Sequence, residues 1–453
     1  LVYNLVEVEK LGKPAVALCN VGFGADARSA AVVKGNPALR TVLERVPCEA
    51  TDGESIERGV AEVIEEVIRA LTVPLGEEEW EEALARVAAW KPGEARGVVY
   101  RGTLEEVNRY FYRMGWTDGF PVVPPTVRAV EEMLRGTDLP ADHVVAHLPP
   151  RMGKATVEKI AVNAVMAGAL PTHLPVIIAA VEALVDPDAW FGTYQVSTGS
   201  WAPFVVVNGP VRRDIGLNCG SGALSPGNIA NAAIGRALSL VIRNIGGARP
   251  GIEDMGVLGN PGKWSMVVGE WEEESPWPPL HVEEGFSSEQ SAVSVIFMNT
   301  FVQVLGYGSE PEDLLRGFTY NVPPAKKNAT AALLVPPHLA RILAQAGWQK
   351  PDVVDFIWRY TQVPAYQHPD WVRARRLGER HTRIGAVEAH VAVQVLSRKE
   401  VLRVVVVGGP GNVVGIVLGG GIMPARWVTR QIALPRKWGR LVTRYRGMVP
   451  RIR

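Results

Sequence analysis

Apolar residues recur along this chain at two periods, and the switching between them predicts its elements. Leu1, Leu5, Val8 and Leu11 fall at helical spacing with Glu7, Glu9 and Lys10 opposite, and Gly12 stands where that helix would end. Pro14 leads into AVALCNVGF, an apolar run that reads as a buried parallel strand. A second helix is predicted over Asp26 to Lys34 and a second strand over Thr41 to Val46. From about Ser55 to Leu71 an acidic helix carries the apolar stripe Ile56, Val60, Val63, Ile64, Val67 and Ile68. Residues 1–73 therefore form a small α/β unit with a parallel sheet. Residues 74–97, an acidic helix set between Pro74, Gly76, Pro92 and Gly93, read as an interdomain connection.

Residues 98–453 repeat the alternation on a larger scale. Helices are predicted over Leu104–Met114, Val157–Gly168, Leu174–Val185 and Ile229–Ile245, and around Leu339–Ala346. Phe204–Val207 reads as a strand entering Asn208-Gly209-Pro210, and Ala292–Val304 and Ala331–Val335 continue the pattern. VLRVVVVGGPGNVVGIVLGGG reads as two buried β-branched strands around a Gly-Gly-Pro-Gly turn, which is either a hairpin or a flap over a ligand. No short solenoid-type repeat is present. The expected fold class is α/β: a small parallel-sheet N-terminal domain plus a larger α/β (α+β) domain. The opening helix has no N-cap signal and starts at Leu, so the pattern suggests polypeptide upstream of it.

Composition narrows the function classes. With 47 % hydrophobic and 21 % charged residues, this is a globular chain, and a net charge of +1 gives no electrostatic footprint for nucleic acid. The basic stretch Arg426 to Arg453 is the local exception, suited to solvent, a neighbouring subunit or an acidic partner. No apolar run reaches the ~18 residues needed to span a bilayer. With no signal peptide visible, a cytoplasmic location is expected. Cys19, Cys48 and Cys219 make neither a disulfide framework nor a zinc spacing, which fits a reducing compartment.

The richest stretch for chemistry is Asn208 to Gly251. Asn208, Asn218, Asn228, Asn231 and Asn244 stand there among many glycines, beside an apolar helix. Asparagine offers both donor and acceptor, and glycine lets backbone approach a ligand, so the cluster suits a small polar molecule; tight turns between buried elements would use the same residues. Cys219 lies in Asn-Cys-Gly-Ser-Gly, whose successive N–H groups could form an anion-binding nest, with Ser221 beside it and Arg212, Arg213 and Arg236 nearby. A nucleophilic role requires that its thiolate be favoured. Cys19 and Cys48 follow strands, and each is equally suited to be a small buried residue. Lys159 and Asn163 share a helix face, while Asp118 sits in the turn Thr-Asp-Gly-Phe-Pro. Gly259 to Glu284 gathers Lys263, Glu270, Glu272, Glu273, Glu274, His281 and Glu283, which could bind a metal, run acid–base chemistry or form a solvated loop. No tight ligand spacing supports a metal.

The segment LVYNLVEVEKLGKPAVALCNVGFGADARSAA resembles the UGSC family of bacterial seleno- and cysteine proteins. That family is similar in turn to the selenocysteine-bearing part of glycine, sarcosine and betaine reductases. The resemblance rests on a helix ending Glu7-x-Glu9-x-x-Gly12-x-Pro14, an apolar strand, then a loop and helix, and it spans roughly the first ninety residues. The later segments DGFPVVPPT, VEKIAVNAVMAG, VNGP and RNIGGARPG resemble the large region found with such domains. In the family, a redox-active U/C-G-S/T-C motif lies just before the first helix, a position upstream of Leu1. Cys219-Gly220-Ser221 is a superficial echo in another domain, to which the role is not transferred.

The resemblance implies attack by a thiol or selenol on carbon and cleavage of a carbon–heteroatom bond. On that reading the chain is an enzyme for a small polar or carboxylate-bearing substrate. Cys219, Asp118, Lys159 and Glu272 are the candidate catalytic residues; Asn208, Asn218, Ser221, Asn228, Asn231 and Arg236 would bind substrate. No cofactor is identified, and an external thiol or redox protein is the expected co-reactant. The chain is expected to form a homo-oligomer or a complex with a second subunit, without nucleic-acid or membrane partners. Two alternatives stay open: a non-catalytic ligand-binding subunit, and a metal-assisted hydrolase or lyase using Glu272, Glu274 and His281.

Overall fold

Burial of Ala17 in one strand and Val42 in the other organises the short parallel pair of the N-terminal region. The computed structural model describes residues 2–46, 53–89, 97–323, 329–367, 390–396, 398–419 and 423–448; Cys48 lies outside them. Helix α1 (Val2–Lys10) is followed by β1 (Val16–Asn20), α2 (Gly24–Val33) and β2 (Arg40–Glu44). β1 and β2 pair in parallel, Val16 opposite Arg40, over a core of Val6, Ala15, Ala17, Ala31 and Leu39. β1 ends sooner than its apolar run, because the Asn20 side chain accepts from Gly22 N–H at 3.1 Å and turns the chain. Helix α3 (Gly53–Thr72) packs on β2, and α4 (Glu77–Ala89) follows it. Arg40 holds the connection between them: it pairs with Glu79 at 2.7 Å and donates to the Ala70 carbonyl at 3.0 Å. The expected linker thus contains a helix docked on the small sheet.

The larger region opens with α5 (Leu104–Arg113), which has a Thr103/Glu106 capping box, and α6 (Val127–Leu134), capped by Thr126. The hairpin β3 (Val144–Leu148) and β4 (Gly153–Thr156) leads into α7 (Val157–Met166), α8 (Leu174–Leu184) and the short α9 (Phe191–Tyr194). Then come β5 (Ala202–Asn208), α10 (Val211–Asp214), α11 (Ile229–Val241), β6 (Val267–Gly269), α12 (Leu280–Glu283) and the long β7 (Ala292–Leu305). The chain continues with α13 (Pro311–Tyr320), β8 (Ala331–Val335), α14 (Pro337–Gln345), α15 (Lys350–Tyr360), and the paired β9 (Gln362–Pro364) and β10 (Ala392–Gln394). It closes with β11 (Leu402–Val406), β12 (Val413–Gly419), β13 (Val428–Gln431) and α16 (Trp438–Tyr445). Among the described residues, no helix is long and apolar enough to cross a membrane.

The main sheet runs β11-β8-β12-β7-β5-β6, with β13 joined to β7. It has two matching halves. β6 is parallel to β5, and β7 antiparallel to it; β11 is parallel to β8, and β12 antiparallel to it. β7 and β12 meet antiparallel at the centre. The order β6-β5-β7 of one half is thus matched by β11-β8-β12 of the other, with every strand direction reversed. The predicted strands at the chain end are present but form no hairpin, since β8 lies between β11 and β12.

Strand alternation gives the sheet one shared core and two outer ones. Phe204, Val206, Val268, Ile296, Leu334, Val405 and Val417, from all six strands, pack together on one face. The opposite face is covered by α7, α8 and α11 over one half and by α13, α14 and α15 over the other. The sheet curls enough for its edges to touch: Trp271, just past β6, donates its N–H to the Val406 carbonyl of β11 at 2.7 Å.

The small region docks near Arg151. Tyr3 Oη donates to the Pro150 carbonyl at 3.4 Å, and Gly22 lies against Met255. Glu253 is buried and held by Arg151 and Arg249. Asp26, in the first turn of α2, faces Glu253, and its Oδ1 is buried without a hydrogen-bond partner among the described residues. Burial first, and Glu253 second, push the Asp26 carboxyl up to about 6. A carboxyl raised on folding binds its proton more tightly in the native state, so its contribution is present at low pH and lost as pH rises through about 6. Asp26→Asn should therefore flatten the fall in stability between pH 4 and pH 7, by up to roughly 2 kcal/mol for a carboxyl raised from 3.8 to about 6. Urea unfolding of both proteins at the two pH values checks this; identical pH slopes would contradict it.

Candidate functional site

β5 and β6 run parallel, so their carboxyl ends lie side by side, and charged side chains gather there. Asn208 ends β5 fully buried; its Nδ2 donates to Glu270 Oε2 at 2.8 Å and to Glu272 Oε1 at 3.1 Å. Gly209 has a φ of +83°, and the Gln290–Ser291 backbone fills the space a Cβ would need, so glycine is required there. Its N–H donates to Glu272 Oε1 at 2.7 Å. α10 then buries Arg212, whose Nη1 donates to the Glu270 carbonyl at 2.7 Å. Nη2 of Arg212 pairs with Glu272 at 2.8 Å and Glu273 at 3.1 Å. Beyond β6, fully buried Glu270 accepts from Leu280 N–H at 2.6 Å and from Lys350 Nζ at 3.0 Å. Lys350, itself buried, also pairs with Glu283 at 3.2 Å.

The electrostatics divide the titrating groups. Burial pushes the Cys219 thiol up, and Arg212 Nη1, 3.7 Å from Sγ, only partly opposes it, so at rest the thiol keeps its proton at neutral pH. Burial holds the fully buried His281 below its usual range despite Glu272 and Glu270, leaving it neutral. Glu273 is favoured toward protonation by burial, but its bond to Arg212 wins and keeps it ionised. Burial raises Glu283 against the pull of Lys350. Asn208 Oδ1 and Arg212 Nε are buried and find no hydrogen-bond partner among the described residues. One strand end thus offers a protonated thiol, a neutral imidazole, a fixed guanidinium and an unspent amide oxygen.

Of the residues expected from sequence, this site unites Asn208, Cys219 and Glu272. Asn218, Asn228 and Asn231 stand next to it and build its walls, with their amides committed to backbone. Asn228 caps α11, accepting from Ala230 N–H at 2.9 Å and donating to the Gly216 carbonyl at 2.8 Å. Asn231 accepts from Asn218 N–H at 2.8 Å and donates to the carbonyls of Asn218 and Val267, both at 3.0 Å. Asn218 donates to the Ser221 carbonyl at 3.0 Å and accepts from Gly220 N–H at 3.0 Å. Exposed Ser221 packs against Gly409, and Gly408 donates to the Cys219 carbonyl at 2.9 Å; the Gly-Gly-Pro-Gly turn closes onto the Cys219 loop.

The remaining expected residues do not join it. Asp118 and Arg236 form a bidentate pair at 2.7 and 2.9 Å; although burial opposes it, the guanidinium holds the Asp118 carboxyl below its usual range. A permanently ionised, doubly paired carboxylate is a poor proton carrier. Lys159 is exposed on α7. Glu274 pairs with Arg341, and among the described residues no three His, Cys, Asp or Glu side chains converge as metal ligands. Lys350 gave no sequence signal at all, since a lysine beginning a helix before Pro351 looks like any surface residue.

These bonds make Asn231 a structural clamp. Asn231→Ala should cost roughly 2–4 kcal/mol by stranding buried donors and acceptors. Thermal or urea unfolding checks it, and an unchanged stability would return Asn231 to the ligand-binding set.

Comparison with known proteins finds no curated protein and no solved structure that matches the chain. A family model does match at the N-terminus, over the stretch that contains α1, β1, α2, β2 and α3. Residues 1–73 are a UGSC family domain, placed ahead of a larger region that holds the charged cluster.

Proposed function

We propose that this protein is an enzyme acting on a small polar substrate, with its reaction centre where β5 and β6 end. The observation that carries this reading is the concentration of buried ionisable groups around Arg212. Such groups are costly to desolvate and gather where chemistry needs shifted pKa values. The UGSC domain at residues 1–73 supports thiol-dependent cleavage of a carbon–heteroatom bond as the reaction class.

In this reading Cys219 supplies both proton and nucleophile. Sγ forms a bond to substrate carbon while the carbon–heteroatom bond breaks, and the departing heteroatom takes the thiol proton, directly or by way of His281. An external thiol then displaces the thioether from carbon and returns a proton to Cys219. Arg212 stabilises the charge developing on sulfur, and Asn208 Oδ1 accepts a hydrogen bond from the substrate. A second reading, a subunit that receives a partner's thiol, has its own support. The start of α1, which the resemblance puts just after the family's redox motif, sits on Pro150 beside Arg151, Glu253 and Asp26.

The test is iodoacetamide labelling of native protein across pH, read by peptide mass spectrometry with and without a panel of small amines and amino acids. Cys219 should label slowly near neutrality, accelerate above the ordinary thiol value of ~8.5, and be protected by a substrate. Cys219→Ser should abolish dithiothreitol-dependent release of a leaving group from the same compounds. Labelling that no compound alters, together with turnover that survives the substitution, would remove Cys219 and favour the second reading.

A further inference from the structure

Helix α3 runs for 20 residues, yet Gly59 is its one buried residue among those described. Ile56, Val60, Ile64 and Ile68 recur every fourth position and stand 41, 44, 42 and 53 % exposed. On α4, Trp80 and Leu84 are 47 and 60 % exposed. A stripe of this size facing water is unusual unless something covers it. Its surroundings are acidic: residues 53–89 hold ten Glu against three Arg, a net −7.

The same chain carries the opposite charge elsewhere. Residues 434–448 hold five basic side chains and no acidic one. α16 turns Leu441 and Val442 into its own core and leaves Lys437 and Arg440 exposed, with Leu434 and Met448 exposed at 37 and 55 % beside them. Charge decides between two ways of covering the stripe with this protein. Pairing α3 with α3 of another copy would bring together two surfaces that each hold five Glu against two Arg. Pairing it with the basic segment matches opposite charges around apolar contacts.

We propose that the acidic, apolar face of α3 and α4 docks the basic 434–448 segment of a second copy of this chain. The contact is head-to-tail, so it closes into a ring or extends as a chain of copies. Its strength falls with salt, because screening shortens from about 10 Å at 0.1 M to about 3 Å at 1 M.

Sedimentation velocity of the full chain across concentration and salt tests this. The native protein should associate at low salt and dissociate at high salt. Glu65→Lys with Glu66→Lys should weaken association at least tenfold, as should Lys437→Glu with Arg440→Glu, while circular-dichroism melting stays unchanged at these exposed sites. Mixing the two variants should restore a complex, because each supplies the face the other lacks. A chain that is monomeric at every salt concentration overturns the proposal. So does an assembly that resists both charge reversals, or one that Ile64→Glu leaves intact.

Discussion

A single buried guanidinium holds the centre of this molecule together. Arg212 is 2 % exposed, and it binds the carbonyl of Glu270 and the carboxylates of Glu272 and Glu273 at once. Desolvating such a charge is costly, and only paired carboxylates with good geometry recover the cost. Glu270, Glu272 and Glu273, all just past β6, are therefore fixed in place by one residue just past β5. That arrangement sets the position of Asn208 through Glu270 and Glu272, and it places Cys219 beside a cation. Removing the guanidinium would leave the Glu270 carbonyl without that donor and take the cation away from the Glu272 and Glu273 carboxylates.

The two halves of the sheet make the site's location intelligible. β5 ends in Asn208-Gly209-Pro210, and its counterpart β8 ends in Val335-Pro336-Pro337. β6 continues into Glu270-Trp271, while β11 continues into Val407-Gly408. One half carries the polar groups and the other supplies apolar walls and the glycine turn that closes on the Cys219 loop. Trp271, bonded to Val406, joins the halves where the charged cluster lies. Lys350, reaching Glu270 from α15, makes the second half an electrostatic partner as well.

Local structure is legible in this sequence, and long-range pairing is not. The 3.6-residue period announces α5 and α7, which Thr103 and Thr156 cap, whereas α6, capped by Thr126, is not among the predicted helices. The β-branched runs announce β5, β8, β11 and β12, but not that β8 separates the last two, since strand order is set by packing far along the chain. Asn228 before an apolar helical run carries a cap signal, and the structure uses it that way. Its recurrence with Asn218 and Asn231 imitates a ligand pocket because loop-building and ligand-binding draw on the same donor and acceptor. Arg212 with Glu272 and Asp118 with Arg236 are 60 and 118 residues apart. No periodicity records such pairs. The UGSC segment was recognisable because its helix, strand and glycine–proline spacing are contiguous.

The most direct test of this account is a double-mutant cycle between Arg212 and Glu272, read by urea unfolding. Arg212→Met should cost about 3–5 kcal/mol, and Glu272→Gln should cost clearly less in that background than in the native one, because the buried pair is lost only once. If the two losses simply add, or if Arg212→Met leaves stability near that of the native protein, the guanidinium does not organise the cluster. The site would then have to be sought elsewhere on the molecule.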